Sequence, residues 1–192
     1  MRKNCTLFID TTNNYCYIAV SFSCKILMKA KLPVNKNVTD IIVDTIHKTL
    51  KQAGVKPLDL THIVLNVGPG SFTGDKVGVT VAKTWKLFDP RIEVMTINSL
   101  LLQTKDGTGI SVIDAKSNKL YLAVYKNEKE LVKPCLIDKK DLAKYKRKYR
   151  SLPLVQDQTD DMYDNFLKHT KSFKKVQDIK YLEPLYLKNP IQ

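Results

Sequence analysis

The stretch Gly68-Pro69-Gly70-Ser71-Phe72-Thr73-Gly74 decides how this chain folds, because it leads directly into a helix predicted over Asp75–Phe88. Positions four apart share one face of a helix, so Gly74, Gly78 and Ala82 form a stripe with almost no side chain. Glycine inside a helix costs about 0.5–1 kcal/mol relative to alanine. We therefore expect another backbone to approach this small stripe closely.

Three interpretations of the loop compete. A phosphate site is disfavoured, because a P-loop needs Lys and then Ser or Thr directly after its last glycine, and here Asp75 and Lys76 follow. In a second interpretation the glycines only permit tight packing between helix and sheet. In a third, a partner protein lies on the helix, which is apolar on more than one side. The apolar residues beside the small stripe are Val77, Val81, Trp85 and Phe88.

The composition indicates a globular protein of one domain or two small lobes. The chain has 192 residues, of which 43% are hydrophobic. No stretch approaches the roughly 18 apolar residues of a membrane span, and the first residues lead into a strand rather than an apolar signal segment. We therefore expect a cytoplasmic protein that does not bind membranes.

Cysteine and histidine spacing indicates no metal or redox site. The four cysteines contain no Cys-x-x-Cys pair, and the three histidines contain no His-x-x-x-His pair. The predicted helix Asn37–Ala53 carries a single histidine, His47. We expect no bound metal and no cofactor.

The net charge of +13 suits a nucleic-acid partner, but it is spread along the chain. Residues 1–100 carry 13 basic and 7 acidic groups, and residues 101–192 carry 19 and 12, an excess of +6 and +7. The densest run is 144–150, where two tyrosines alternate with cations in a pattern that can hold a phosphate backbone and stack bases. The candidate RNA contacts are Lys144, Lys146, Arg147 and Lys148. The alternative is an ordinary solvated surface.

Hydrophobic periodicity predicts the order β-β-β-α-β-α-β-α for the first hundred residues. Asn37 is predicted to cap the first helix and Gly54 to end it. The predicted elements are strands Thr6–Asp10, Tyr15–Phe22, Cys24–Lys31, His62–Val67 and Ile92–Thr96, and helices Asn37–Ala53, Asp75–Phe88 and Ser99–Thr104.

A second β-rich run follows a joint at Asp106-Gly107-Thr108-Gly109. We expect one lobe over residues 1–104 and a smaller one over 109–192, with the tail from Glu183 packing back on the first lobe. Asp10 and Asp114 end the first strand of each half, which suggests a distant duplication. The predicted elements are strands Ile110–Asp114, Leu120–Lys126, Leu131–Ile137 and Leu152–Gln156, and helices Asp138–Tyr149 and Asp160–Lys171.

The glycine loop, with Val77-Gly78 and Ala82-Lys83 after it, resembles the TsaB family. Three weaker segments agree with that family in order and spacing, so the resemblance spans nearly the whole chain. They are Ile9-Asp10-Thr11-Thr12, Val112-Ile113-Asp114-Ala115-Lys116 and Glu183-Pro184-Leu185-Tyr186-Leu187-Lys188-Asn189. Asp75 departs from the pattern, since the family usually has an apolar residue there, and Trp85 stands where a glycine is common.

The resemblance implies an actin-like, sugar-kinase-like α/β fold with an RNase H-like core in two lobes. It also implies a non-catalytic scaffold that activates the catalytic TsaD subunit, with the ATPase TsaE joining them, to form threonylcarbamoyladenosine in tRNA. The tRNA is then an indirect partner, and the chain alone can form a homodimer. The first two long helices would form the interface, through Val38, Ile41, Thr45, Gly74, Gly78, Val81, Ala82 and Trp85.

In the wider superfamily each half offers an Asp-containing turn to ATP phosphates and Mg²⁺. Here the first turn holds Asp10, Thr11 and Thr12 and the second begins at Asp114, and neither contains a glycine for close backbone approach. We interpret them as relics that cap strands. Two other functions stay open: an active ATP-dependent enzyme with Asp10 and Asp114 as metal ligands, and a free-standing tRNA-binding protein.

Overall fold

A computed structural model describes residues 4–34, 37–156 and 162–188. Contacts along the backbone divide the chain into two units. The first contains the chain up to Ile97 together with Phe173–Pro184, and the second contains Asn98–Ser172 and the chain from Leu185. None of the helices within these residues combines the length and apolar character needed to cross a membrane.

The first unit is built on a six-stranded mixed sheet. Three antiparallel strands, β1 (Cys5–Asp10), β2 (Tyr15–Phe22) and β3 (Lys25–Pro33), follow one another in the chain. Strands β4 (His62–Asn66) and β5 (Glu93–Ile97) then run parallel to β1. A short edge strand from late in the chain, β10 (Lys174–Lys175), completes the sheet, whose order is β10-β5-β4-β1-β2-β3. The five longer strands were predicted from short, mostly apolar runs and the turn residues between them, and the structure confirms them.

Two helices, α1 (Val38–Gln52) and α2 (Phe72–Phe88), pack against this sheet. The spacing of Ile42, Ile46, Leu50 and Ala53 predicts a buried stripe on α1. The structure buries the first three and leaves Ala53 half-buried, and fully burying a large apolar side chain contributes about 1.5–3 kcal/mol. Asn37 occupies the predicted N-cap position, but its side chain makes no capping hydrogen bond. The predicted start of the helix is therefore confirmed, and the predicted capping bond is not formed. The helix stops before Gly54, whose φ of +68° suits glycine.

The second unit contains a four-stranded sheet in the order β8-β7-β6-β9. Its elements are α3 (Ser99–Leu102), β6 (Gly109–Asp114), β7 (Lys119–Lys126), β8 (Lys129–Asp138), α4 (Leu142–Lys148), β9 (Leu154–Gln156) and α5 (Met162–Lys168). A 3₁₀ turn at Lys139–Asp141 replaces the first part of the helix predicted over Asp138–Tyr149. Asp160, where the last helix was predicted to begin, lies outside the described residues.

The division between the units differs from the expected joint at residues 106–109. Gln103 donates through Nε2 to Ser111 Oγ (2.6 Å) and to the carbonyl of Val112 (3.1 Å), which ties α3 to β6. The segment that belongs to the first unit is Phe173–Pro184, in which β10 (Lys174–Lys175) pairs antiparallel with β5. The tail was expected to pack on the first lobe from Glu183, but from Leu185 it belongs to the second unit. Both residues of β10 are lysines, and two residues are too few to show an alternating pattern, so this strand could not be predicted from the sequence.

The two units repeat one strand plan. In each, three consecutive antiparallel strands are followed by a fourth that runs parallel to the first, β4 beside β1 and β9 beside β6. The second hairpin of each unit turns through two residues with positive φ, Ser23 and Cys24 in one and Asn127 and Glu128 in the other. This repetition is the two-fold plan of the actin-like fold, and it confirms the predicted fold class.

Candidate functional site

The glycine loop connects β4 to α2 and starts the helix earlier than predicted. Ser71 is the N-cap, and its Oγ accepts a hydrogen bond from the Gly74 amide at 3.3 Å. The helix therefore begins at Phe72 instead of Asp75. Ser71, Phe72 and Thr73 are exposed, whereas Gly68 and Pro69 are buried and Gly70 is half-buried.

The loop lies directly against the turn between β1 and β2. The Ser71 amide donates to the Thr12 carbonyl at 2.6 Å, and Thr11 Oγ1 donates to the Gly74 carbonyl at 2.7 Å. A Cβ atom on Gly74 would overlap the Thr11 carbonyl oxygen, and one on Gly70 would overlap that of Thr12. These glycines let two backbones touch, which is the second of the three interpretations.

The small stripe of α2 is covered by the chain's own sheet. Gly74, Gly78 and Ala82 are all buried. A Cβ atom on Gly78 would lie 2.8 Å from Leu65 Cδ1 and 2.9 Å from Thr11 Oγ1. The stripe therefore seats α2 on β1 and β4. These three residues are unavailable to a partner, which corrects their expected place in an interface.

The other expected interface residues divide into two groups. Val38 and Thr45 are buried, and the Thr45 hydroxyl donates to the Ile41 carbonyl at 2.6 Å within α1, so both serve internal packing. Ile41, Val81 and Trp85 are only half-buried at the edge of the core. The two helices also expose apolar side chains that the expected interface did not include: Val43 (68% exposed), Leu87 (75%) and Phe88 (69%).

Asp10 is a buried carboxylate held by the chain's own donors. Its Oδ1 accepts from the Thr12 amide (2.9 Å) and the Thr12 hydroxyl (2.8 Å), and its Oδ2 accepts from Asn66 Nδ2 (3.0 Å). Asn66 Oδ1 in turn accepts from the Gly68 amide at 3.1 Å, which links the Asp10 turn to the glycine loop. Asn66 was not predicted as a site residue. The one indication in the sequence is that a polar residue ends an otherwise apolar strand.

Asp75 is the second buried acid of this cluster, with 3% of its surface exposed. The Gly70 amide donates to its carboxyl group, but Oδ1 has no hydrogen-bond partner among the described residues. Burial first, and then the charge of Asp10, raises the pKa of Asp75 to about 8. Burial also raises the pKa of Asp10, against three hydrogen bonds that lower it. Asp75, with fewer donors, is therefore the acid that holds a proton at neutral pH.

Asp114 belongs to the second unit and is half-buried at the end of β6. Its Oδ1 accepts from the Lys116 amide at 3.2 Å, which is the same two-residue turn that Asp10 makes with Thr12. Lys139 lies 3.2 Å away and Lys116 Nζ 3.6 Å away, and the hydrogen bond from Lys139 leads the causes that lower the pKa of Asp114. The Asp114 carboxylate is therefore paired with two lysines, Lys116 and Lys139.

The basic run lies on and around α4 of the second unit. Lys146, Arg147 and Lys148 are exposed, whereas Lys144 Nζ is 2.7 Å from Asp141 Oδ1. Tyr145 and Tyr149 are half-buried against the core of the unit. Their rings therefore pack internally, which corrects the expectation that they alternate with the cations as a platform for stacking bases.

Two bodies of comparison place the chain among known proteins. The sequence model of the family TsaD, described as tRNA N6-adenosine threonylcarbamoyltransferase, matches residues 33–178, well over half of the chain. An uncharacterized protein of Mycoplasma pneumoniae is 33% identical over 162 residues, covering 83% of this chain and 82% of that protein. The tRNA threonylcarbamoyladenosine biosynthesis protein TsaB of Bacillus subtilis is 30% identical over 136 residues, covering 69% of this chain and 59% of that protein.

Solved structures agree on the fold. A Pseudomonas aeruginosa crystal structure, described as an uncharacterized protein with similarity to peptidase YeaZ, superposes with a TM-score of 0.75 at 15% identity. That match covers 96% of this chain and 100% of the other. A second structure, YeaZ from Pseudomonas aeruginosa, gives a TM-score of 0.72 with the same coverage. The chain therefore belongs to the TsaB/YeaZ family, within the wider group that the TsaD model describes.

Proposed function

We propose that this chain is a non-catalytic subunit of the assembly that forms N6-threonylcarbamoyladenosine in tRNA, and that it binds a TsaD-like catalytic subunit through α1 and α2. The pathway follows from the family, because the curated Bacillus subtilis and Buchnera aphidicola relatives are both named for threonylcarbamoyladenosine biosynthesis. The scaffold role and its partner are the proposal.

One observation carries the interface: α1 and α2 form a helical layer whose outer side is apolar in several places. Ile41, Val81 and Trp85 are half-buried at its edge, and Val43 and Leu87 are largely exposed. Tryptophan is enriched among the few residues that supply most of the binding energy of an interface, and the weaker contacts around such a residue exclude water from it. Ile41 and Val43 lie on opposite flanks of the buried stripe of α1, and we call the five residues together the helical face.

The condition of the first Asp turn supports a non-catalytic role. In a working phosphate site the backbone of this turn and loop would face the ligand. Here the Thr11 and Thr12 carbonyls contact the loop glycines, and all three donors on Asp10 come from the chain itself. The Gly70 amide, which could donate to a phosphate, donates to the Asp75 carboxyl group instead.

The remaining partners follow from the same proposal. A TsaE-like ATPase joins the assembly, tRNA reaches this subunit through it, and the assembly works in the cytoplasm. In the absence of the catalytic subunit, the helical face can pair with its own copy, because a two-fold dimer uses one patch on both subunits.

The double substitution Val43→Glu and Leu87→Glu is expected to weaken binding of the TsaD-like subunit at least tenfold. Both side chains are exposed, so the charges should leave the isolated chain folded while opposing an apolar partner surface. Isothermal titration calorimetry with the purified catalytic subunit measures the effect, and circular dichroism checks the fold.

Leu27→Glu is the matched control for this experiment. Leu27 is also an exposed aliphatic residue, but it lies on strand β3 and not on either helix. Its substitution should leave the affinity unchanged. Equal affinities for wild type and the double variant would remove the helical face from the proposal.

A catalytic function is the second candidate, because the matching family model is described as a transferase. In that case Asp10 would act on a bound nucleotide, and Asp10→Asn would abolish turnover by the isolated chain. Assaying ATP hydrolysis and threonylcarbamoyl transfer with the purified chain alone separates the candidates. Activity that disappears in Asp10→Asn would favour the enzyme over the scaffold.

A further inference from the structure

We propose that the exposed cations around α4 form a binding surface for the phosphate backbone of structured RNA. We call this surface the α4 basic surface and define it by Lys140, Lys146, Arg147, Lys148 and Arg150, all of which are exposed. The proposed function supplies only the reason why the RNA would be a tRNA. The RNA contact itself belongs to this chain and can be measured without a partner.

The local charge is far denser than the charge of the chain as a whole. Residues 139–150 contain seven basic groups (Lys139, Lys140, Lys144, Lys146, Arg147, Lys148, Arg150) and one acid, Asp141, which gives +6 in twelve residues. Such a concentration attracts polyanions and raises their association rate at moderate salt. The sequence alone showed this run, but not whether its charges were neutralised in the fold.

The structure separates neutralised cations from free ones. Lys139 is 3.2 Å from Asp114 and Lys144 is 2.7 Å from Asp141, so each of these two lysines is paired with an acid of the same chain. For the α4 basic surface, no ion pair with an acid is found across residues 4–34, 37–156 and 162–188. Lys148 Nζ lies 5.3 Å from the centre of the Tyr149 ring, which leaves its charge uncompensated.

The orientation of α4 directs these cations outwards. Leu142, Tyr145 and Tyr149 face the core of the second unit. At 100° per residue, Arg147 then points away from the core while Lys146 and Lys148 flank it on either side. A convex ridge with cations at its tip and both flanks matches phosphates that line a groove of a double helix, where recognition depends on shape and backbone.

A lipid surface fits this ridge less well. A helix that lies on a membrane needs an apolar face directed at the acyl chains. On α4 that face is already used by Leu142, Tyr145 and Tyr149 in the core of the second unit. With the apolar side committed internally and cations outside, the chemistry favours a hydrophilic polyanion.

The test measures binding of an unmodified tRNA transcript to the full-length chain between 50 and 300 mM salt. The triple variant Lys146→Gln, Arg147→Gln and Arg150→Gln is expected to lose about tenfold or more in affinity at low salt. Its slope of log K against log salt should fall by about 2–3, because each lost phosphate contact removes close to one unit. Circular dichroism establishes that the variant is folded.

A matched variant removes three charges elsewhere. Lys51, Lys105 and Lys126 are exposed, so Lys51→Gln, Lys105→Gln and Lys126→Gln together change the net charge equally. The proposal requires this control to keep most of the wild-type slope. The proposal is overturned if both variants lose the same slope. It is also overturned if the α4 variant binds the tRNA transcript as wild type does and loses binding only to vesicles containing phosphatidylserine.

The outcome is independent of the scaffold proposal. The Val43→Glu, Leu87→Glu chain should bind the tRNA transcript as wild type does, even though it no longer binds the catalytic subunit. Retained RNA binding with no partner binding by the wild type would refute the scaffold and keep the α4 basic surface. If the wild type binds the catalytic subunit, but its salt slope for RNA binding equals that of the α4 variant, the scaffold is kept and the α4 basic surface is refuted.

Discussion

Gly74→Ala is expected to lower the free energy of unfolding by about 2–3 kcal/mol, although alanine is the better helix former. Alanine at an ordinary helix position would gain about 1 kcal/mol over glycine. At position 74 the new methyl group meets the backbone carbonyl of Thr11, which cannot rotate away as a side chain can. Either α2 moves off β1 or the Thr11 turn shifts, and both disturb the hydrogen bond from Thr11 Oγ1 to Gly74.

Gly78→Ala provides a graded comparison for this prediction. Its methyl group meets the end of the flexible Leu65 side chain and Thr11 Oγ1, so no backbone has to move. Rotating Thr11 away would break its hydrogen bond to Gly74, so we expect an intermediate loss of about 1 kcal/mol. Urea unfolding followed by circular dichroism measures both variants, and a loss of 2–3 kcal/mol corresponds to roughly 5–10 °C in melting temperature. If Gly74→Ala is as stable as wild type, the loop does not depend on backbone contact.

The strands and helices were predictable because each has a local pattern. β2 was placed at Tyr15–Phe22, as found, since it is a short apolar run bounded by turn residues, which is typical of a strand buried on both faces. The stripe Ile42, Ile46 and Leu50 placed α1 in the same way. Element type depends on neighbours within a few residues, and those are visible in one sequence.

The role of the small stripe was not predictable for the opposite reason. Thr11 and Gly74 are 63 residues apart, and no local pattern indicates that their backbones touch. A stripe of glycine and alanine fits a sheet of the same chain and a helix of another chain equally well. The sequence therefore indicated close approach but not the identity of the neighbour.

Asp75 shows a related limit. An acid in the first turn of a helix normally stabilises it through the helix dipole and stays in water. The turn of α2 that carries Asp75 instead faces Gly68 and Gly70, so the carboxyl group is buried beside Asp10. Only the departure from the apolar residue usual in the family pointed to something unusual at this position.

The ionisation of Asp75 should make the protein lose stability as the pH rises. The folded chain keeps the Asp75 proton up to a pKa of about 8, whereas the unfolded chain releases it near the ordinary aspartate pKa of 3.8. Between these values the folded state binds more protons, so the free energy of unfolding falls with rising pH, by at most about 1.4 kcal/mol per pH unit. Below the lower pKa this contribution is fully present, and above the higher one it is lost.

Asp75→Asn is expected to remove this dependence, because asparagine keeps the shape of the carboxyl group and cannot ionise. The stability advantage of the variant over wild type should grow by about 2–4 kcal/mol between pH 5 and pH 8.5. Urea unfolding at four or five pH values measures the difference between the two chains, which cancels the titration of all other groups.

Asp44→Asn serves as the control, since Asp44 is an exposed carboxylate on α1 that lies 3.8 Å from Lys48. An exposed pair of this kind contributes little, so its difference from wild type should stay nearly constant over the same pH range. A constant difference for Asp75→Asn as well would mean that the Asp75 carboxyl is ionised in the folded protein at neutral pH. The carboxyl would then have to be hydrated or paired in solution, because an ionised group with one backbone donor and one unpaired oxygen is too costly to bury.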